Sequence, residues 1–348
     1  MPRIELPISK SIANRLLILQ AIHGDGQLLT VSADMPDDVQ VMSEAIRLVG
    51  ERQEARIDLG NCGTAMRFLT AYCAQLEGQT TILDGVERMH HRPIGQLVDA
   101  LREIGADIEY LGEEGFPPLR IKGCILDKHR IVIIDNPQST QFVSALLLIG
   151  ANVQTDSTSP YITLTHKLIQ HYTTLHHSTR HYTIEKDWSS AAFWYEYVAL
   201  HGGEIKLPGL HKESLQGDKV VADIFAHLGV STQYTEDGIQ ICRSQTILNS
   251  KFLIQDFSAC PDLYPAVALT CERLGITLHA TGTESLSIKE SDRLRAVREH
   301  LTDHDHRMAM ALLVAGYEVD DTDCISKSYP RFLEQWQAIQ TSSPENLR

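Results

Sequence analysis

A unit recurs along this chain: a short β-branched or aromatic run, a polar turn, then an amphipathic helix that stops on glycine. Residues 93–106 place their apolar side chains at helical spacing and stop at Gly105, and residues 220–230 do the same and stop at Gly229. In both, an aspartate (Asp99, Asp223) stands six positions before the terminal glycine. Further units start near Ser11, Thr64, Thr140, Ser189, Pro261, Glu290 and Arg307. Strand and helix repeated in this way predict an α/β architecture. At 348 residues the chain is long for a single core, so two domains are expected.

Four stretches are abrupt for such a repeat, because parallel-packed helices need a strand between them. Residues 290–301 read as one helix, and another starts at Arg307 after only a few polar residues. Residues 50–58, 151–157 and 172–181 are similarly short. They predict that loops are absent from the sequence, with the numbering running across breaks. Residues 186–190, between a strand-like 181–185 and a new helix, are the candidate hinge.

Composition removes several function classes. The formal net charge of -14 argues against nucleic acid, which needs a basic face. No apolar run approaches the roughly 20 residues needed to cross a bilayer, and the N-terminal residues lack the apolar stretch of a signal peptide. The seven cysteines are scattered and form no C-x-x-C, so reduced cytoplasmic thiols are expected. The sixteen histidines include His166, His171, His176, His177 and His181, but their spacing matches neither H-E-x-x-H nor a Cys/His zinc pattern, and no metal is expected.

Against this acidic background, seven cations stand beside Gly, Ser, Thr, Pro or Asp at strand-to-helix turns: Lys10, Arg15, Arg92, Lys289, Arg293, Arg307 and Lys327. Helix N-termini already favour anions, and Lys or Arg placed there makes phosphate or carboxylate sites. The pattern predicts an enzyme for strongly anionic substrates, with these cations gathered in one interdomain cleft.

The local motifs carry chemistry but leave alternatives open. In S-K-S-I-A-N-R (9–15), Ser9 or Ser11 can cap a helix, while Lys10 and the free N–H groups suit an oxyanion; a capped helix with solvated bases fits equally. In G-N-C-G-T-A-M-R (60–67), Gly63 would let a ligand approach the backbone closely. Arg92, just before Pro93 at a helix start, suits a carboxylate or phosphate. Ser139, Thr140 and Gln141 begin an apolar helix, where capping alone explains the hydroxyls. Tyr161 could face a ring substrate or the core. Asp262 heads a hydrophobic helix as a cap or a general base. In K-E-S-D-R-L (289–294), Lys289 and Arg293 share a helix face with Glu290 beside them, as a solvated face also would. D-H-R-M-A-M (305–310), with His306 and Arg307, and S-K-S-Y-P (326–330), with Lys327, complete the set.

Taken in order, these motifs resemble the 5-enolpyruvylshikimate-3-phosphate synthase family over nearly the whole chain. Each is modest alone; nine in the family's order are specific. The resemblance implies two similar domains of an inverse α/β, barrel-like fold built from repeated βαβαββ units. One domain would be discontinuous (1–8 plus 187–348), and the other (9–186) would bind shikimate 3-phosphate. It implies Ser11, Arg15, Ser139, Thr140, Tyr161 and Lys289 as ligands of shikimate 3-phosphate. For phosphoenolpyruvate it implies Lys10, Arg92, Gln141, Arg293, Arg307 and Lys327, with Asn61 and Gly63 lining the pocket and His306 in the same set. Asp262 matches the base and Glu290 the acid, and Lys289 and Lys10 complete the catalytic group. No metal or organic cofactor is required, and a cytoplasmic monomer without nucleic-acid or membrane partners is expected.

There are departures. Thr140 stands where Ser is usual, Ser285 where Asn is common, and Phe68 where Pro is common, which bears on the response to glyphosate. UDP-N-acetylglucosamine enolpyruvyl transferase has the same fold, but carries a Cys five residues before the arginine matched by Arg92, where this chain has Glu87. A non-catalytic anion-binding relative is the other alternative, disfavoured by the presence of both Asp262 and Glu290.

Overall fold

The computed structural model describes residues 1–24, 29–175, 183–244 and 251–342. His176, His177 and His181, and the start of the strand expected at 181–185, lie outside them. The chain divides into two compact units. One comprises Lys10–Ala33 and Asp38–Thr183; the other comprises Met1–Ser9, Asp34–Asp37 and Ile184–Arg348.

The first of these contains α1 (Lys10–His23) and nearly all of α2 (Asp37–Glu51). A complete βαβαββ unit follows: β1 (Glu54–Asp58), α3 (Gly63–Ala74), β2 (Thr80–Asp84), α4 (Gly95–Glu103), β3 (Asp107–Tyr110) and β4 (Leu119–Lys122). Its sheet order is β1-β2-β4-β3. β1 runs parallel to β2 with Glu54 opposite Thr80, and β4 is antiparallel to both β2 and β3. The parallel pair β5 (Ile131–Ile133) and β6 (Asn152–Gln154) flanks α5 (Thr140–Leu148), and α6 (Pro160–Leu175) closes the unit.

In the other unit, α7 (Trp188–His201) leads to β7 (Glu204–Pro208), α8 (Val221–His227), β8 (Val230–Thr235) and β9 (Gly238–Arg243), which form an antiparallel sheet ordered β7-β9-β8. The N-terminal residues extend it, since Arg3 bridges Lys206 in parallel. A second parallel pair, β10 (Phe252–Asp256) and β11 (Thr277–Thr281), flanks α9 (Tyr264–Leu274). The chain continues through α10 (Arg293–Glu299), α11 (His306–Ala315) and α12 (Phe332–Ser342).

Each unit encloses a helix: α3 in one and α7 in the other. Trp188 through Ala199 of α7 are all buried, as are all residues of α3 except Thr64, whereas β1 alternates exposed and buried residues. A helix apolar all round belongs in a core, and a strand with one polar face belongs at the surface. This is the inverse arrangement of an α/β layer.

Several local readings change. α4 starts at Gly95, two residues beyond Pro93. Residues 290–301 are not one helix. A 3-10 turn (Glu284–Ile288) ends before Lys289, and Asp292 caps α10 by accepting from the Arg295 N–H at 3.2 Å. Lys289 and Arg293 therefore do not share a helical face.

Of the four abrupt stretches, part of 172–181 lies outside the described residues. The connection after α10 closes on itself: the Leu301 N–H bonds Ala296 O at 2.9 Å, and His300, Asp303 and His304 take the left-handed conformation that non-glycine residues seldom adopt. The abruptness is accommodated by backbone strain there.

One core side chain is anomalous. Glu196 in α7 is fully buried, and neither carboxylate oxygen has a hydrogen-bond partner among the described residues. Burial pushes its pKa well above the ordinary carboxylate value. The folded protein thus holds Glu196 neutral, while the unfolded chain ionises it above about pH 4.5. Its contribution to stability is complete below that pH and falls as pH rises toward the folded value, by about 1.4 kcal/mol per pH unit. Glu196→Gln removes this slope. The melting temperature of the variant relative to the parent should climb as pH rises above about 4.5; a constant difference would show that Glu196 ionises in the fold as it does in the unfolded chain.

Candidate active site

Most of the residues singled out in the sequence fall into two groups, one in each unit. In the unit of α1–α6, Lys10 opens α1. Ser9 stands at its cap position, but its hydroxyl is buried and makes no capping bond among the described residues. Lys10 Nζ donates to the nearly buried Asp38 carboxylate at 2.8 Å. Arg15, one turn on, is enclosed. Its Nε donates to Thr165 Oγ1 at 2.7 Å, Nη1 to Ser11 O at 2.9 Å, and Nη2 to Ser144 Oγ at 3.0 Å and Tyr161 O at 3.5 Å. Its guanidinium also lies over the Phe68 ring, 5.2 Å from the centroid. With neutral partners, burial brings its pKa down to about 10. Arg15 here ties α1 to α5 and α6.

The glycine turn before α3 lies against the guanidinium of Arg92. A Cβ at Gly63 would lie 2.3 Å from Arg92 Nη2, so the guanidinium as placed occupies the space of the missing side chain. Arg92 Nη1 donates to Asn61 O at 3.2 Å and Asn61 Oδ1 at 3.4 Å. Ser139 caps α5 by accepting from the Gln141 N–H at 3.3 Å, and Thr140 is the first helical residue.

The Gln141 side chain is fixed at both ends: Oε1 accepts from Arg67 Nη1 at 2.9 Å and Nε2 donates to Thr64 Oγ1 at 3.0 Å. Arg67 also donates to Gly63 O at 3.2 Å. Burial, then the nearby Arg92, lowers its pKa to about 9. Sequence reading quoted Arg67 in its motif without assigning it a role; its position one turn after Gly63 was the available signal.

In the other unit the chemistry is denser. Asp262 stands just before α9, in a short 3-10 turn opened by Pro261. Its Oδ1 accepts from Arg293 Nη1 at 2.8 Å with Lys289 Nζ 3.7 Å away, and its Oδ2 lies 2.9 Å from Arg307 Nη2. Asp305 holds the other edge of Arg293, accepting from Nε at 2.8 Å and Nη2 at 3.4 Å. Asp305 also caps α11, accepting from the Arg307 N–H at 2.9 Å, and takes the Ser291 hydroxyl at 3.1 Å. Beside this lies Glu290, 2.9 Å from Lys327 Nζ and 2.7 Å from His306 Nδ1.

Burial works against the charge of Arg293 and Arg307, but the carboxylates outweigh it: Asp305 and Asp262 raise Arg293, and Asp262 and Asp187 raise Arg307. For Asp305, burial is overcome by Arg293, and its pKa falls.

Sequence reading missed Asp218. It is buried, accepts a short hydrogen bond from the Ser189 hydroxyl, and is pushed up to about 7 by burial and by the charge of Asp262. Nothing in its local sequence distinguishes it from a helix-start aspartate. Among the described residues, Glu290, Asp305 and His306 bring one potential ligand atom each within 4.8 Å of one another. Asp305 is committed to Arg293 and the α11 cap, so the group is better explained as part of the charge network.

Chemically, this unit offers carboxylates positioned for proton transfer next to guanidinium and ammonium groups suited to phosphate and carboxylate. The other offers three buried arginines and an amide held in place.

Comparison with known proteins agrees over nearly the whole chain. The family described as EPSP synthase (3-phosphoshikimate 1-carboxyvinyltransferase) matches residues 2–303 and 299–336. A 3-phosphoshikimate 1-carboxyvinyltransferase from Bacteroides fragilis is 38% identical over 389 aligned positions, covering 94% of this chain and 93% of the relative. One from Erwinia tasmaniensis is 32% identical, covering 95% and 94%. Both alignments are longer than this 348-residue chain, so the relatives carry residues that it lacks. In structure, the chain is similar to EPSP synthase from Acinetobacter baumannii, with a TM-score of 0.65 and 19% identity over 97% of this chain and 95% of that one. By matched length and by identity to these relatives, the chain belongs to the EPSP synthase family.

Proposed function

We propose that this chain is a 3-phosphoshikimate 1-carboxyvinyltransferase, which moves the enolpyruvyl group of phosphoenolpyruvate to the 5-hydroxyl of shikimate 3-phosphate and releases phosphate. The observation that carries the reading is the cluster of Asp262, Lys289, Arg293 and Arg307 beside Glu290, His306 and Lys327. A base and an acid among cations are what addition and elimination at phosphoenolpyruvate require.

In this reading Asp262, with Lys289 nearby, takes the proton of the 5-hydroxyl. Glu290 or a lysine such as Lys10 protonates the methylene carbon, and the hydroxyl oxygen bonds to C2. The tetrahedral adduct then expels phosphate as a proton leaves the new methyl group and the double bond re-forms. Arg293, Arg307 and Lys327 stabilise the charge on carboxylate and phosphate, fixed in advance by Asp305 and Glu290. Shikimate 3-phosphate is assigned to Ser11, Arg15, Ser139, Thr140, Tyr161 and Lys289. The proposed shikimate 3-phosphate-binding domain is 9–186, and 1–8 plus 187–348 supply the proposed catalytic Asp, Lys and Glu. Phosphoenolpyruvate draws Lys10, Arg92 and Gln141 from one unit and Arg293, Arg307 and Lys327 from the other. The sequence arguments favour a cytoplasmic monomer.

Phosphate release should occur with phosphoenolpyruvate and shikimate 3-phosphate and not when UDP-N-acetylglucosamine replaces the shikimate ester. Release only with the nucleotide sugar would assign the chain to the other transferase, and release with neither would make it a binding relative. Asp262→Ala and Lys289→Ala should each lower kcat by about 10²–10⁴-fold while weakening ternary-complex binding less. Near-normal turnover by the Asp262 variant would remove that residue from the mechanism.

A further inference from the structure

Arg293 and Arg307 do not present open guanidinium faces. Every nitrogen of Arg293 has a carboxylate partner: Nε and Nη2 donate to Asp305, and Nη1 donates to Asp262. Arg307 differs. Its Nη2 faces Asp262 at 2.9 Å, but its Nη1 is buried without a hydrogen-bond partner among the described residues. A buried guanidinium nitrogen with unmet donors in a charged cluster points to a ligand that supplies the missing acceptor.

An anion reaching these arginines has to take N–H groups from one of the two carboxylates, and they are not equally held. Asp305 is fully buried and is bound by Ser291 and the α11 backbone as well as by Arg293. Asp262 has a side chain 22% exposed, and the side chains of Arg293, Arg307 and Lys289 engage it. Asp262 is the partner that yields.

We propose that Asp262 is an intramolecular competitor for the anion site: its carboxylate occupies Arg293 and Arg307 until a phosphate or phosphoenolpyruvate oxygen displaces it. The proposal rests on the assignment of these two arginines to the anion. It adds a consequence for the order of events. A carboxylate with both oxygens engaged by guanidinium groups is a weaker base, so arrival of the anion raises its readiness to take a hydroxyl proton. Binding of one substrate thereby arms the group that acts on the other, and idle proton transfer is suppressed.

The competition makes a counter-intuitive prediction, because loss of the proposed base should improve binding. Calorimetric titration of the full chain with inorganic phosphate alone should give about tenfold tighter binding for Asp262→Asn than for the parent. A parent too weak to measure beside a measurable variant would agree. Unchanged or weaker binding by the variant, or no binding by either protein, overturns the proposal.

Removal of a remote negative charge would also favour an anion, and a double-mutant cycle separates the two causes. In an Arg307→Lys background the gain from Asp262→Asn should shrink markedly, since a contact has already gone; an equal gain in both backgrounds also overturns the proposal. If Asp262→Asn lacks a cooperative melting transition, Asp262→Ser replaces it in the same measurements. Phosphate is the only ligand used, so failure of the chain to turn over shikimate 3-phosphate would leave this comparison intact.

Discussion

Arg293 is a guanidinium almost wholly removed from water, and it keeps its charge because Asp305 grips one edge while Asp262 takes the other. Burying an ion is unfavourable by several kcal/mol unless partners compensate, so this pairing constrains everything around it. Asp305 can serve Arg293 only from its position at the start of α11, where it also caps the helix and fixes where Arg307 begins. Asp292 similarly sets the start of α10 and hence the root of Arg293. The caps of two helices, the direction of two arginines and the confinement of Asp262 form one arrangement, in which a change to one member is felt by the others.

The other unit solves the same problem differently. Arg15 is given hydroxyls and carbonyls, and Arg67 an amide and a carbonyl, which leave burial incompletely compensated and lower both pKa values. Both also join neighbouring elements: Arg15 ties α1, α5 and α6 together, and Arg67 fixes the Gln141 amide. Acid-paired arginines in one unit and neutral-paired arginines in the other suit different tasks. The first are held charged by carboxylates, and the second position polar groups of neighbouring helices.

Much of this was legible in the sequence because it is local. The repeat of strand, turn and helix gave the fold class, since periodicity and terminal glycines such as Gly105 and Gly229 report short-range geometry. The motifs around Lys10, Arg92, Asp262, Glu290, Arg293 and Arg307 were visible because cations beside turn residues are unusual in an acidic chain. What was hidden depends on distant partners. Asp218 is defined by Ser189 and Asp262, Arg67 by Gln141, and Gly63 packs against a guanidinium 29 positions away. The helix read across 290–301 failed because the Asp292 side chain competes for a cap there, and pattern alone cannot rank a cap against continued helix. Glu196 gave no warning either, because an acid in an apolar run looks like one exposed position on an amphipathic helix until the helix proves to be buried all round.

The central proposal assigns phosphoenolpyruvate cations of both units and shikimate 3-phosphate mainly residues of one. Titration calorimetry with phosphoenolpyruvate, with and without saturating shikimate 3-phosphate, tests it most directly. If the first ligand favours the arrangement that supplies the second with its full set of cations, phosphoenolpyruvate should bind at least about tenfold more tightly in its presence. Equal affinities under the two conditions would contradict the account.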